Sequence, residues 1–127
     1  MGRVLIVDHD RDLLEALEEM ARLLSYEVAT AANASEALDT LQSFRPHVMV
    51  MSRGLPGMDG EELARPIRRG GDARTFIICL TGWWEEAILA RIRSAGCDVV
   101  IGKPIDHEAL VRAIADGCAR AVGAAQP

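Results

Sequence analysis

The chain is 127 residues long, half of them hydrophobic, with a formal net charge of −5. That length supports one hydrophobic core, whereas two independent domains of half the size would each be marginal. The acid excess argues against duplex DNA or an anionic membrane as partner, since both call for clustered Lys and Arg.

No stretch approaches the roughly 20 apolar residues that span a bilayer, and no opening segment pairs a basic flank with an apolar run and a cleavage site. A soluble cytoplasmic protein is expected. Cys79, Cys97 and Cys118 are odd in number and lack CxxC spacing. They are expected to be reduced, mostly buried thiols rather than a disulfide framework or a zinc site.

Val4-Leu5-Ile6-Val7 reads as a strand buried on both faces. Leu13, Leu14, Leu17, Met20, Ala21 and Leu24 then recur at helical spacing, with Asp10 as N-cap. Tyr26 to Ala31 supplies a second strand. Asn33 and Glu36, three apart, form a capping box ahead of a helix whose inner stripe is Ala34, Ala37, Leu38 and Leu41. A third strand spans Val48 to Met51. Gly54, Pro56, Gly57 and Gly60 mark the following loop, and a short helix contains Leu63 and Ile67. Pro66 lies within that helix and predicts a kink or a late start. Phe76 to Leu80 is the fourth strand; Trp83 and Trp84 open a fourth helix lined by Ile88, Leu89, Ile92 and Ala95 and stopped by Gly96. Asp98 to Ile101 and Asp106 to Val122 complete the alternation.

Five successive strand–helix units with short connections imply an α/β fold with a parallel sheet, because right-handed crossovers place helices on both faces. In such sheets the functional crevice lies beyond the carboxyl ends of the strands. That rule selects Asp8 and His9 after strand one, Ser52 after strand three, Thr81 after strand four and Lys103 after strand five.

Val4-Leu5-Ile6-Val7-Asp8, Leu55-Pro56-Gly57-Met58-Asp59-Gly60, Leu80-Thr81-Gly82 and Lys103-Pro104 stand in the order and spacing of bacterial response-regulator receiver domains, which the chain resembles from residue 3 to about residue 118. The stretch from Leu55 to Leu110 is especially similar to receivers attached to hybrid histidine kinases. The resemblance implies a flavodoxin-like, doubly wound sheet of five strands in the order 2-1-3-4-5 with five helices. The receiver domain would occupy residues 1–122, followed by a short flexible tail, 123–127.

In that family two acids after strand one and an acceptor aspartate after strand three hold magnesium while a phosphoryl group arrives from a kinase phosphohistidine. A lysine and a Thr or Ser complete the pocket. Position by position, the resemblance keeps Asp8, Thr81 and Lys103. It places His9 at the second acid, Ser52 at the phosphoacceptor and Val100 at the aromatic switch. It also implies a cis Lys103–Pro104 bond.

Magnesium is a small, hard cation that favours carboxylate oxygens and retained waters. Three carboxylates and a lysine give a pocket charge of about −2, but Asp8 and Lys103 alone give about zero. Magnesium binding at the vestigial Asp8, His9 and Ser52 set is therefore expected to be weak or lost, with no other cofactor. Lys103 is expected to pair directly with Asp8, while Ser52 and Thr81 satisfy local hydrogen bonds. A serine hydroxyl is a weak nucleophile unless a base activates it. His9 is the candidate base, because His47 lies at the opposite end of strand three; its plainer role is a loop histidine bonded to backbone or water.

Trp84, Ile88 and Arg91 are interface candidates, since the face formed by helix four, strand five and helix five is the usual partner and dimer surface of receivers and exposed tryptophan often anchors interfaces. Glu61, Glu62, Asp59 and Arg65 read as solvated helix-start charges. Three classes of function emerge. The first is a non-enzymatic receiver that acts by contact with a histidine kinase, another signalling protein or a second copy. The second is a phosphoacceptor using Ser52, Asp8 or Asp10, and the third a small-anion or metabolite sensor built on Lys103, Thr81 and a charged His9. Neither a phosphate-cradling GxxxxGK[ST] loop nor paired acids suggest further catalysis.

Overall fold

The computed structural model of the chain describes residues 2–69 and 75–125. Its elements alternate without exception: β1 (Arg3–Val7), α1 (Arg11–Leu23), β2 (Glu27–Ala31), α2 (Ala34–Phe44), β3 (Val48–Ser52), α3 (Gly60–Arg69), β4 (Phe76–Thr81), α4 (Glu86–Ser94), β5 (Val99–Gly102) and α5 (His107–Ala125). All strand pairs are parallel, and the order is β2-β1-β3-β4-β5.

The period of two along each strand divides the core between two layers. Leu5, Val7, Met49, Met51, Ile77 and Cys79 face the side covered by α2, α3 and α4. Val4, Ile6, Val48, Val50, Ile78 and Leu80 face α1 and α5. β3 and β4 are buried at every position, which is why their sequences are continuous apolar runs rather than alternations. Strand order reverses between β1 and β3, so the crevice that this topology creates opens beyond Val7 and Ser52.

Local signals set most helix ends. The Asp10 carboxylate accepts from the N–H groups of Asp12 and Leu13. Asn33 accepts from Glu36 N at 2.9 Å, and Glu36 answers by accepting from Ala32 N at 2.8 Å, one residue earlier than the simplest capping box would have it. Gly96 follows α4 at φ +110°, a left-handed conformation that side chains with a Cβ rarely adopt.

Several expectations are corrected. α3 begins at Gly60, six residues before Pro66, because Asp59 caps it through Glu62 N (3.1 Å) and its own carbonyl takes Leu63 N; the proline does not delay the start. Trp83 and Trp84 lie in the β4–α4 loop, and α4 opens only at Glu86. β2 and β5 each begin one residue later than predicted, and α5 runs from His107 to Ala125, past Val122. Gln126 and Pro127, the end of the expected tail, lie outside the described residues. On α1, only Leu17 and Ala21 are fully buried, and Leu24 is exposed at the C-cap.

Candidate functional site at the carboxyl rim of the sheet

Register brings the polar strand ends together. Val7 pairs with Met51, Ser52 with Leu80 and Thr81 with Gly102. Asp8, Ser52 and Lys103 therefore follow neighbouring ladder positions on three strands. Backbone bonds hold each in place: Asp8 N donates to Ala31 O (3.1 Å), Arg53 N to Leu80 O (2.8 Å) and Lys103 N to Thr81 O (2.9 Å). The Lys103–Pro104 bond is cis.

Asp8, Ser52 and Thr81 are each only 1% exposed. Burying polar groups so completely is costly unless they find partners. Asp8 and Ser52 do so in a short chain. Ser52 Oγ donates to Asp8 Oδ2 at 2.6 Å, and the Lys103 ammonium donates to Ser52 Oγ at 2.7 Å. The other oxygen of Asp8 accepts from Asp10 N at 2.9 Å. Lys103 Nζ stands 3.9 Å from Asp8 Oδ2, so the expected direct pair is present only as a long ionic contact, and the close bonds run through the serine. A hydroxyl can donate and accept at once, and that dual capacity lets one small side chain bridge a cation and an anion.

Whether a magnesium ion fits can be judged from the donors. The cluster offers one carboxylate, and both of its oxygens already accept hydrogen bonds. The ammonium beside it occupies the electrostatic role a divalent ion would fill. This donor set does not suit a hard cation that needs several anionic oxygens.

His9 is not placed to activate Ser52. Its Nδ1 lies 3.7 Å from Asp8 Oδ1, the oxygen turned away from the serine, and its side chain is 56% exposed. Asp8 itself takes the position of a base. Asp10 caps α1 through Oδ1, which accepts from Asp12 N at 3.1 Å and Leu13 N at 3.3 Å. The Thr81 hydroxyl accepts from Trp83 N at 3.0 Å, tying the β4–α4 loop to the rim. Val100, half-buried, pairs with Cys79 and packs against the layer containing α4.

Both tryptophans are more than half exposed, at 58% for Trp83 and 56% for Trp84. The Trp84 indole lies over Gly102: a Cβ there would run into ring atoms Cζ2 and Cε2, so glycine is what lets the ring cover the backbone just ahead of Lys103. Ile88 is half-buried against the core and Arg91 is exposed.

Sequence reasoning missed the strongest ion pair of the region. Glu61, read as a solvated helix-start charge, is only 5% exposed. Arg53 Nε donates to its Oε1 at 2.6 Å, and Nη2 to Oε2 at 3.4 Å. That bond is the main cause holding the Arg53 guanidinium above its usual pKa, against the opposing effect of burial. The pair spans the β3–α3 loop, which is also closed by Gly60 N donating to Arg53 O at 2.7 Å. Gly60 permits this close approach, since a Cβ there would come within 3.1 Å of Arg53 Cα.

The fold is that of a receiver domain. The family profile of the response regulator receiver domain matches residues 4–115. The chain belongs to that family. It is 33% identical over 111 residues to the response regulators MprA of Mycolicibacterium vanbaalenii and Mycobacterium avium, a match covering 86% of this chain. It spans about half the length of these relatives, 47% of each. Among solved structures it is similar to a response regulator from Chloroflexus aurantiacus, described as putative (29% identity, TM-score 0.84, covering 93% of this chain and 98% of the other). It is also similar to the chemotaxis response regulator CheY4 of Vibrio cholerae (26%, TM-score 0.85, 92% and 98%) and to the receiver domain of a Syntrophus aciditrophicus histidine kinase (25%, TM-score 0.85, 94% and 91%). Among the described residues no helix is long and apolar enough to cross a membrane.

Proposed function

We propose that this receiver of a two-component system is a cytoplasmic, non-enzymatic module that signals by protein contact, without phosphorylation at the acceptor position. One observation supports the reading: the hydroxyl of Ser52, the residue that the resemblance puts at the acceptor position, already links Lys103 to Asp8. The local charge is balanced with neither metal nor phosphate, so magnesium is expected to bind weakly or not at all. The contact face is that of α4, β5 and α5, with Trp84, Ile88 and Arg91 as anchors toward a histidine kinase, another signalling protein or a second copy.

A second reading is favoured by a single distance. Asp8 Oδ2 lies 2.6 Å from Ser52 Oγ, within reach to take its proton as the hydroxyl attacks a phosphoryl donor. Incubation with acetyl phosphate and magnesium, followed by intact mass, separates the two. Wild type and Ser52→Ala are expected to gain nothing, and Ser52→Asp to gain an acid-labile phosphate. An acid-stable gain of one phosphate in wild type that Ser52→Ala abolishes would establish the second reading and overturn the first.

A further inference from the structure

Two thiols meet in the core layer covered by α4. Cys79 on β4 is fully buried, and Cys97, between α4 and β5, is 6% exposed. Both belong to the cluster that also contains Ile92 and Ala95. The turn after α4 is fixed against β4, because Asp98 N donates to Ile77 O at 2.8 Å and the Asp98 carboxylate accepts from Ile77 N at 2.8 Å. Cys79 stands two residues beyond Ile77 on the same face of the strand. Cys97, next to that clip, shares a hydrogen bond with it. This bond first, and burial second, hold the Cys79 thiol well above its ordinary pKa. Cys118, the third cysteine, lies on the other side of the sheet, in the layer of α1 and α5.

Thiolate is the reactive form of cysteine, so a buried, protonated pair reacts only when the structure around it opens. Helix α4 supplies that opening. Of its nine residues only Leu89 and Ile92 are buried, and Glu85 at its N-cap makes no side-chain capping bond. By contrast α3 buries five of its ten residues and is capped by Asp59. Elements with few buried side chains open at low cost. We infer that Cys79 and Cys97 form a reversible disulfide in response to peroxide, and that this bond resets α4. On opening, the Cys97 thiolate attacks one peroxide oxygen, the O–O bond breaks, and hydroxide leaves to be protonated to water, with Cys97 now a sulfenic acid. The Cys79 thiolate then attacks that sulfur: the S–S bond forms, the S–O bond breaks, and a second hydroxide leaves as water. The two thiols supply the two protons, and one peroxide becomes two waters. In a reducing compartment such a bond is transient and serves sensing rather than stability. Ile88 and Arg91 lie on α4, so the effect on partner contact rests on the contact reading above, whereas the disulfide itself does not.

The test is exposure of the full chain to hydrogen peroxide, followed by intact mass, peptide mapping without reductant, and hydrogen exchange. A mass lower by about 2 Da, a crosslink joining Cys79 to Cys97, a free Cys118 and full reversal by dithiothreitol are expected. Amide exchange across residues 86–97 should change by about tenfold or more. Cys79→Ala should stop at a sulfenic acid on Cys97 that dimedone traps, and Cys97→Ala should show no crosslink; circular dichroism checks the fold of both. Three results would overturn the inference: thiols still reduced at millimolar peroxide, a linkage through Cys118, or a stable gain of oxygen on either cysteine without a crosslink. A crosslink that leaves exchange in α4 unchanged would overturn its coupling to the helix. The wild-type map decides even where a variant fails to fold. None of these outcomes involves Ser52 or a partner, so failure here leaves the contact reading standing, and failure of that reading leaves the disulfide standing.

Discussion

Ser52 and Arg53 are neighbours in sequence, yet they enter opposite kinds of polar structure. Ser52 sits in a chain in which a neutral hydroxyl separates the only two charges, leaving them 3.9 Å apart. Arg53 turns the other way into a direct, mostly buried ion pair with Glu61 at 2.6 Å. One arrangement spends few charges and keeps them apart, whereas the other commits a full pair to holding the β3–α3 loop against the sheet. The rim thus combines a chemically sparse centre with an ion-paired flank, which agrees with the contact role proposed above.

The comparison breaks first at Glu61. Glu61→Ala strands a largely buried guanidinium and is expected to cost about 3 kcal/mol, the scale on which uncompensated buried charges destabilise. Urea unfolding measures it. The double variant Arg53→Met with Glu61→Leu should recover most of the loss, because apolar replacements of both partners remove the desolvation penalty together. A loss below about 1 kcal/mol for Glu61→Ala would show that water reaches the pair and that the flank is no firmer than the centre. Ser52→Ala is the smaller effect, about 1 kcal/mol. Asp8 keeps its bond from Asp10 N, and Lys103 needs only to close the remaining gap. If Ser52→Ala proved the more damaging substitution, the roles assigned to the two residues would be exchanged.

Legibility in the sequence followed the same division. The strand ends at Asp8, Ser52, Thr81 and Lys103 could be read because apolar runs stop there and topology carries strand ends to one edge. The capping of α1 and α2 was readable from Asp10 and Asn33, since a cap is a local matter of three or four residues. What escaped depends on distance in space. Glu61 looks like any first-turn acid until the fold sets Arg53 beside it, and nothing local tells a solvated carboxylate from a paired one. The charge chain was legible in part: Asp8 and Lys103 form the expected ion pair at 3.9 Å, but the close hydrogen bonds pass through Ser52 between them. Trp83 and Trp84 were expected to open α4, yet the Thr81 hydroxyl accepts from Trp83 N and the helix starts only at Glu86.

The opposite end of β3 gives the finest gradation of the contrast. Just ahead of the strand, His47 Nδ1 accepts from Arg3 N at 2.9 Å, and Arg3 Nε donates to the carbonyls of Phe44 and Arg45. Here a titratable side chain serves a backbone donor rather than another charge. Burial first, and then the nearby Arg3 charge, lower the His47 pKa from its ordinary 6.5. The folded state therefore favours neutral imidazole, and below that ordinary value the unfolded chain binds more protons than the folded one. The stabilisation is fully present above about pH 6.5 and is lost as pH falls through the unfolded value toward the lower folded one. Urea midpoints should thus decline more steeply below pH 6.5 in wild type than in His47→Asn, which retains an acceptor for Arg3 N but cannot titrate. Parallel pH profiles for the two proteins would show that His47 keeps its ordinary protonation and that the amino edge of the sheet is more open to water than its hydrogen bonds indicate.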